Sequence, residues 1–97
     1  MIYSPFEKVK RIGFNLPIII SPLAFVSKHS SIGIGTVIMH QAFVDYNTKI
    51  GENCIINTQS LIEHDCIIEK NCHVSITTVL TSEKILKENS LFGFKYD

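Results

Sequence analysis

From Ile20 onward every sixth residue is aliphatic or aromatic, through Val26, Ile32, Ile38, Val44, Ile50, Ile56, Ile62, Ile68, Val74, Leu80 and Leu86 to Phe92. Four residues after each of these lies a second series. Ala24, Ser30, Thr36, Ala42, Thr48, Cys54, Ser60, Cys66, Cys72, Thr78 and Ser90 are small, and Lys84 and Tyr96 are the exceptions. A six-residue period fits neither a 3.6-residue helix nor the two-residue alternation of a simple hairpin. Self-similarity at a fixed period marks a repeat architecture. Three hexapeptides make a triangular coil of eighteen residues, so short strands should pair in parallel with those eighteen residues away. The aliphatic series then fills the axis, and the small series fits the tight space beside the corners.

Two columns support the eighteen-residue register. Gly35, Asn53, Asn71 and Asn89 share one place in the repeat. Gly and Asn tolerate a left-handed backbone at least cost. Gly33 and Gly51 share another place, which Glu69 and Lys87 continue with side chains. Lys84 and Tyr96 interrupt the small series, which predicts a frayed or distorted last coil.

Residues 1–17 depart from the period. Ser4-Pro5-Phe6-Glu7 has the form of a capping box with Pro at the first helical position, and Gly13 is a natural stop. A short helix is expected from Pro5 to Ile12, followed by a linker. Residues 18–97 form the repeat domain.

The residue before each axial position should point outward, by alternation along a strand. Phe25, Phe43, Leu61 and Val79 form one such column, and Ile19, Val37, Ile55, His73 and Leu91 another. The third, Ser31, Lys49, Ile67 and Ile85, is mixed. Two outward apolar stripes are unusual on a small monomer. The N-terminal helix is expected to cover one and a neighbouring subunit in a three-fold ring the other.

Composition narrows the partners. The 97 residues carry 9 Lys+Arg against 9 Asp+Glu, which gives no basic footprint for nucleic acid and no cationic cluster for an anionic membrane. The longest aliphatic run, Ile18 to Ile20, is far short of a transmembrane span. The first twenty residues lack a signal-peptide apolar core, so the expected compartment is the cytoplasm. Three cysteines, an odd number, argue against a disulfide framework. All three fall on the inward series and read as reduced core thiols, although Cys54 and Cys72 stack closely enough for a bond on distance alone.

Of four histidines, His29 and His40 read as solvated corner residues. His64 stands in Ile62-Glu63-His64-Asp65 at a corner. An acidic neighbour can hold an imidazole in one tautomer and raise its basicity, as a general base near neutral pH requires. His73 interrupts an apolar column. A histidine-bound zinc, as in the gamma-type carbonic anhydrases, needs a close histidine pair and a third two coils away. The spacing of His40, His64 and His73 does not supply this, and no metal site is expected.

Several stretches together resemble the sugar acyltransferases of the sialic acid O-acetyltransferase type and the related bacillosamine-type N-acetyltransferases. They are Ile19 to Ser27, Ile32-Gly33 with Gly35, Ile56-Asn57-Thr58, Ile62 to Cys66, and His73-Val74-Ser75. The resemblance implies an all-β, left-handed parallel β-helix of hexapeptide repeats, about four coils here, preceded by the short helix. It implies a homotrimer that moves an acetyl group from acetyl-CoA to a sugar, often a nucleotide-linked amino sugar, at a site between subunits. His64 then matches the general base and Asp65 the acidic residue that assists it. His73 matches a histidine near the acetyl donor. Asn57 and Ser82 are assigned with it to substrate or CoA binding, Ser82 through the backbone N–H that would meet the thioester oxygen. The family usually has Gly where Ser82 stands and a His where Ser21 stands. It also has a nucleotide-binding α/β domain before the β-helix and further coils after it. The alternative reading is therefore a non-catalytic trimeric β-helix, a scaffold or a trimmed relative that has lost donor binding.

Overall fold

The structure, a computed structural model, describes residues 16–93. Thirteen two-residue strands recur at six-residue steps. They are β1 (Ile19–Ile20), β2 (Phe25–Val26), β3 (Ser31–Ile32), β4 (Val37–Ile38), β5 (Phe43–Val44), β6 (Lys49–Ile50), β7 (Ile55–Ile56), β8 (Leu61–Ile62), β9 (Ile67–Ile68), β10 (His73–Val74), β11 (Val79–Leu80), β12 (Ile85–Leu86) and β13 (Leu91–Phe92). Three parallel sheets result, β1-β4-β7-β10-β13, β2-β5-β8-β11 and β3-β6-β9-β12. Register is eighteen residues throughout, as where Val37 pairs with Ile55 and Ile55 with His73. The described residues form an all-β, left-handed parallel β-helix of about four turns. The helix expected from Pro5 to Ile12 lies outside the described residues, as does Tyr96.

Each strand is two residues long because the pair does two jobs. The first side chain faces out and the second faces the axis: Ile55 is 39% exposed and Ile56 0%. Ile38, Val44, Ile50, Ile56, Ile62, Ile68 and Val74 form the buried axis. Each contributes about 1.5–3 kcal/mol by leaving water. Ile20 is half-exposed because β1 has one neighbouring strand, β4.

The small inward series has a second role beyond size. Thr36 Oγ1 donates to the Gly51 carbonyl at 2.7 Å and accepts the Cys54 N–H at 3.0 Å. Thr48 donates to the Glu63 carbonyl at 3.0 Å. The thiols repeat the pattern, with Cys54 donating to Glu69, Cys66 to Thr81 and Cys72 to Lys87 at 3.2, 3.1 and 3.0 Å. Each of these donors ties its corner to the next coil. The three cysteines are buried and free.

From Gly35 to Asn89 the second residue of every corner is left-handed, at Gln41, Asn47, Asn53, Gln59, Asp65, Asn71, Thr77 and Glu83 in turn. Side-chain amides ladder between coils there, Asn53 to Asn71 at 2.8 Å and Asn71 to Asn89 at 3.1 Å. Thr77, at φ 52°, holds this conformation despite its β-branch. Gly33 is needed for close approach: a Cβ there would lie 2.5 Å from the Gly51 carbonyl carbon.

The part of the last coil that is described, through Gly93, carries Lys84 without the distortion expected there, and the rest of that expectation, at Tyr96, lies outside the described residues. β12 and β13 keep register with β9 and β10, and Glu83 and Asn89 keep the left-handed corners. The Lys84 side chain is exposed. Its long aliphatic stem carries the ammonium to water, so no charge enters the axis.

Candidate functional site

The three corner columns carry different chemistry. The corner between the β2-β5-β8-β11 and β3-β6-β9-β12 sheets presents Tyr46-Asn47, His64-Asp65 and Ser82-Glu83 in successive coils. The corner after the β1-β4-β7-β10-β13 sheet presents His40-Gln41 and Thr58-Gln59.

At the first corner, Asp65 is left-handed, with φ 61°. Asp tolerates this because its short polar side chain can bond locally. Its carboxylate reaches the preceding residue, and His64 Nδ1 donates to Asp65 Oδ2 at 2.7 Å. The other carboxylate oxygen, Oδ1, accepts a hydrogen bond from Asn47 Nδ2 in the coil before. The Tyr46 ring stacks on the imidazole, with centroids 5.3 Å apart and planes 9° from parallel. Backbone bonds hold the layers in place, from Asp65 N–H to the Tyr46 carbonyl at 3.1 Å and from Glu83 N–H to the His64 carbonyl at 3.1 Å.

These contacts set the electrostatics. The hydrogen bond to Asp65 raises the His64 pKa above its ordinary 6.5, and the charges of Asp65, Asp45 and Glu83 add to the rise. Partial desolvation opposes it and loses. The Asn47 and His64 hydrogen bonds lower the Asp65 carboxyl below its ordinary 3.8. With Nδ1 donating to Asp65, the neutral imidazole carries its lone pair on Nε2. Such a group can take a proton from an incoming amine or hydroxyl.

Ser82 lies one coil beyond His64 on the same corner. Its backbone N–H donates to Glu63 Oε1 at 3.1 Å. In this conformation the amide has a carboxylate partner where the resemblance implied an oxyanion donor.

His73 and Asn57 lie elsewhere. His73 is in β10 and Asn57 follows β7, both in the five-stranded sheet, whereas His64 follows β8 in another. Asn57 Nδ2 and His73 Nε2 are 3.3 Å apart, so these two do meet. A single chain therefore brings together His64, Asp65 and Ser82, and separately His73 and Asn57. His40 is an exposed corner residue, as expected, and Ser21 Oγ lies 2.6 Å from its Nδ1. Tyr46, Asn47 and Glu63 were missed as members of the site. The eighteen-residue register places Tyr46 under His64 and Asn47 under Asp65, and that signal could have found them. Among the described residues no three His, Cys, Asp or Glu side chains are grouped to hold a metal ion.

The hexapeptide β-helix thus carries a histidine–carboxylate pair on one corner. Residues 47–75, which include that pair, match the family model described as bacterial transferase hexapeptide (six repeats). No curated protein matches the chain in a sequence comparison. Among solved structures, the acetyltransferase domain of PglB from Neisseria gonorrhoeae FA1090 is similar with TM-score 0.77 at 26% identity, over 89% of this chain and 48% of that one. The same domain in complex with acetyl coenzyme A gives TM-score 0.72 at the same identity and coverage. A variant of perosamine N-acetyltransferase from Caulobacter crescentus, in complex with CoA and GDP-perosamine, gives 0.85 at 28% identity, over 89% of this chain and 41% of that one. The chain thus spans less than half the length of each of these proteins.

Proposed function

We propose that this chain is the β-helix of an acetyl-CoA-dependent acetyltransferase acting on a sugar, with a nucleotide-linked amino sugar as acceptor, in cytoplasmic glycan assembly. The observation that carries the reading is the His64 Nδ1 to Asp65 Oδ2 hydrogen bond, on a corner within the segment that matches the transferase family. The solved likenesses bound to CoA and a GDP-sugar support it.

In this reading His64 Nε2 takes a proton from the acceptor nitrogen or oxygen as that atom attacks the thioester carbonyl. The carbonyl becomes an oxyanion, which collapses to the acetylated sugar. CoA leaves as thiolate and recovers the proton through the imidazolium. Asp65 holds the tautomer and balances the imidazolium charge. A homotrimer completes the site: packing through the exposed column of Ile19, Ile55 and Leu91 brings the His73 and Asn57 face of one subunit toward the His64 corner of its neighbour.

The test is CoA-thiol release from acetyl-CoA with GDP- and UDP-amino sugars. Turnover is expected, with loss of at least about a hundredfold in His64→Ala. Turnover unchanged in that variant would sink the assignment. One observation favours the non-catalytic scaffold instead, namely that the Ser82 amide is already bound by Glu63. No turnover together with no CoA binding by calorimetry would select that second reading.

A further inference from the structure

The contacts that orient His64 come from the coil before it. Asp65 has two carboxylate oxygens and two rotatable bonds. Oδ2 takes the His64 Nδ1–H at 2.7 Å, but that bond alone leaves the carboxylate free to swing. Asn47 Nδ2 removes the freedom by donating to Oδ1. Asn47 is itself at φ 55°, on the left-handed corner of its own coil, and its N–H donates to the His29 carbonyl at 3.0 Å. It is therefore a fixed anchor. The imidazole plane has a separate support, because Tyr46 lies parallel beneath it at 5.3 Å. The Tyr46 N–H donates to Asp45 Oδ1 at 2.8 Å, and the Tyr46 carbonyl accepts from Asp65 at 3.1 Å. One dipeptide thus controls both remaining degrees of freedom of the histidine, its plane and its tautomer.

We propose that Tyr46 and Asn47 are positioning residues for His64, Asn47 selecting the Nδ1–H tautomer through Asp65 and Tyr46 fixing the ring plane by stacking. The proposal rests on the reading of His64 as the base. Asn47 is isosteric with Asp, which also tolerates the left-handed corner but cannot donate. Asn47→Asp should therefore keep the fold and put a second carboxylate against Asp65. The charged groups that act on the imidazole are Asp65, Asp45 and Glu83, and Asn47→Asp adds to them. Tyr46→Leu removes the stack, while Tyr46→Phe retains it.

The experiment reads the histidine ring by nitrogen-15 NMR across pH, which needs no turnover. Wild type and Tyr46→Phe should show His64 with Nδ1 protonated and Nε2 bare in its neutral form. Asn47→Asp should lose that preference toward a tautomer mixture, at unchanged melting cooperativity. Turnover in Asn47→Asp and Tyr46→Leu should fall about tenfold to a hundredfold in kcat, with KM nearly unchanged and Tyr46→Phe near wild type. An unaltered tautomer in Asn47→Asp, or equal kcat in Tyr46→Leu and Tyr46→Phe, would overturn the proposal. A lost tautomer with turnover intact would leave Asn47 as the tautomer's anchor and remove His64 as the base.

Discussion

The Glu63 carboxylate accepts the backbone N–H of Ser82 across 3.1 Å, joining one coil to the next at the corner that carries His64. Glu69 does the same to Glu88 at 3.0 Å, on another corner. The contact is thus a repeated device of the fold that here falls on a candidate oxyanion donor. Glu63→Ala should free the Ser82 amide and raise kcat with acetyl-CoA severalfold. It should cost stability by about 1 kcal/mol, the net worth of one such bond. Steady-state kinetics with thermal melting checks both, and an unchanged or lowered kcat would count against the amide as donor.

The paired shifts of His64 and Asp65 define a pH window. The folded His64 pKa lies above its ordinary 6.5, so its stabilisation is complete below 6.5 and is lost as pH rises through the folded value. The folded Asp65 pKa lies below its ordinary 3.8, so its stabilisation is present above 3.8 and is lost as pH falls through the folded value. The pair therefore stabilises most between about pH 4 and 6.5. Catalysis needs the opposite state of His64, because only the neutral imidazole accepts a proton. The kcat/KM profile should rise with pH to a plateau, with a midpoint above 6.5. A midpoint below 6.5 would contradict the His64–Asp65 geometry.

Gly33 is bound by close approach. A Cβ there would meet the Gly51 carbonyl carbon at 2.5 Å and the Glu52 nitrogen at 2.6 Å, both backbone atoms. Gly33→Ala should destabilise by about 1–3 kcal/mol, as overpacking does, and lower Tm by about 4–8 °C per kcal/mol. Gly35→Asn is the control. It places at a left-handed corner the residue already present at Asn53, Asn71 and Asn89, and Tm should change little. Equal losses in both variants would refute the packing argument.

The three thiols should be inert in the folded protein. Burial raises the pKa of Cys54, Cys66 and Cys72 above the ordinary 9.0, against opposing backbone hydrogen bonds. The thiolate is the reactive form, so an aromatic disulfide reagent should titrate none of them in native buffer and all three in denaturant. Rapid reaction of one thiol in the native state would show that the coil opens locally.

The periodic residues from Ile20 to Phe92 carry the fold on their own, because a six-residue beat of aliphatics permits one packing, three strands to a coil with the second side chain of each strand on the axis. The same beat assigned the three cysteines to the interior and marked Gly35, Asn53, Asn71 and Asn89 as left-handed. It also put Glu63, His64 and Asp65 on a corner. What it could not carry is whatever depends on side-chain direction between coils. Lys84 occupies an inward position by count, yet its side chain is exposed and the register stays intact. Ser82 is placed beside His64 by count, but only the packed corner shows that Glu63 holds its amide. His73 is close to His64 in sequence and yet belongs to another sheet, because nine residues are half a coil. Tyr46 and Asn47 become partners of His64 and Asp65 only when eighteen residues of chain have closed one turn. Periodic burial is a local, additive property and so is legible in the chain, whereas a site made where successive coils meet exists only once they are stacked.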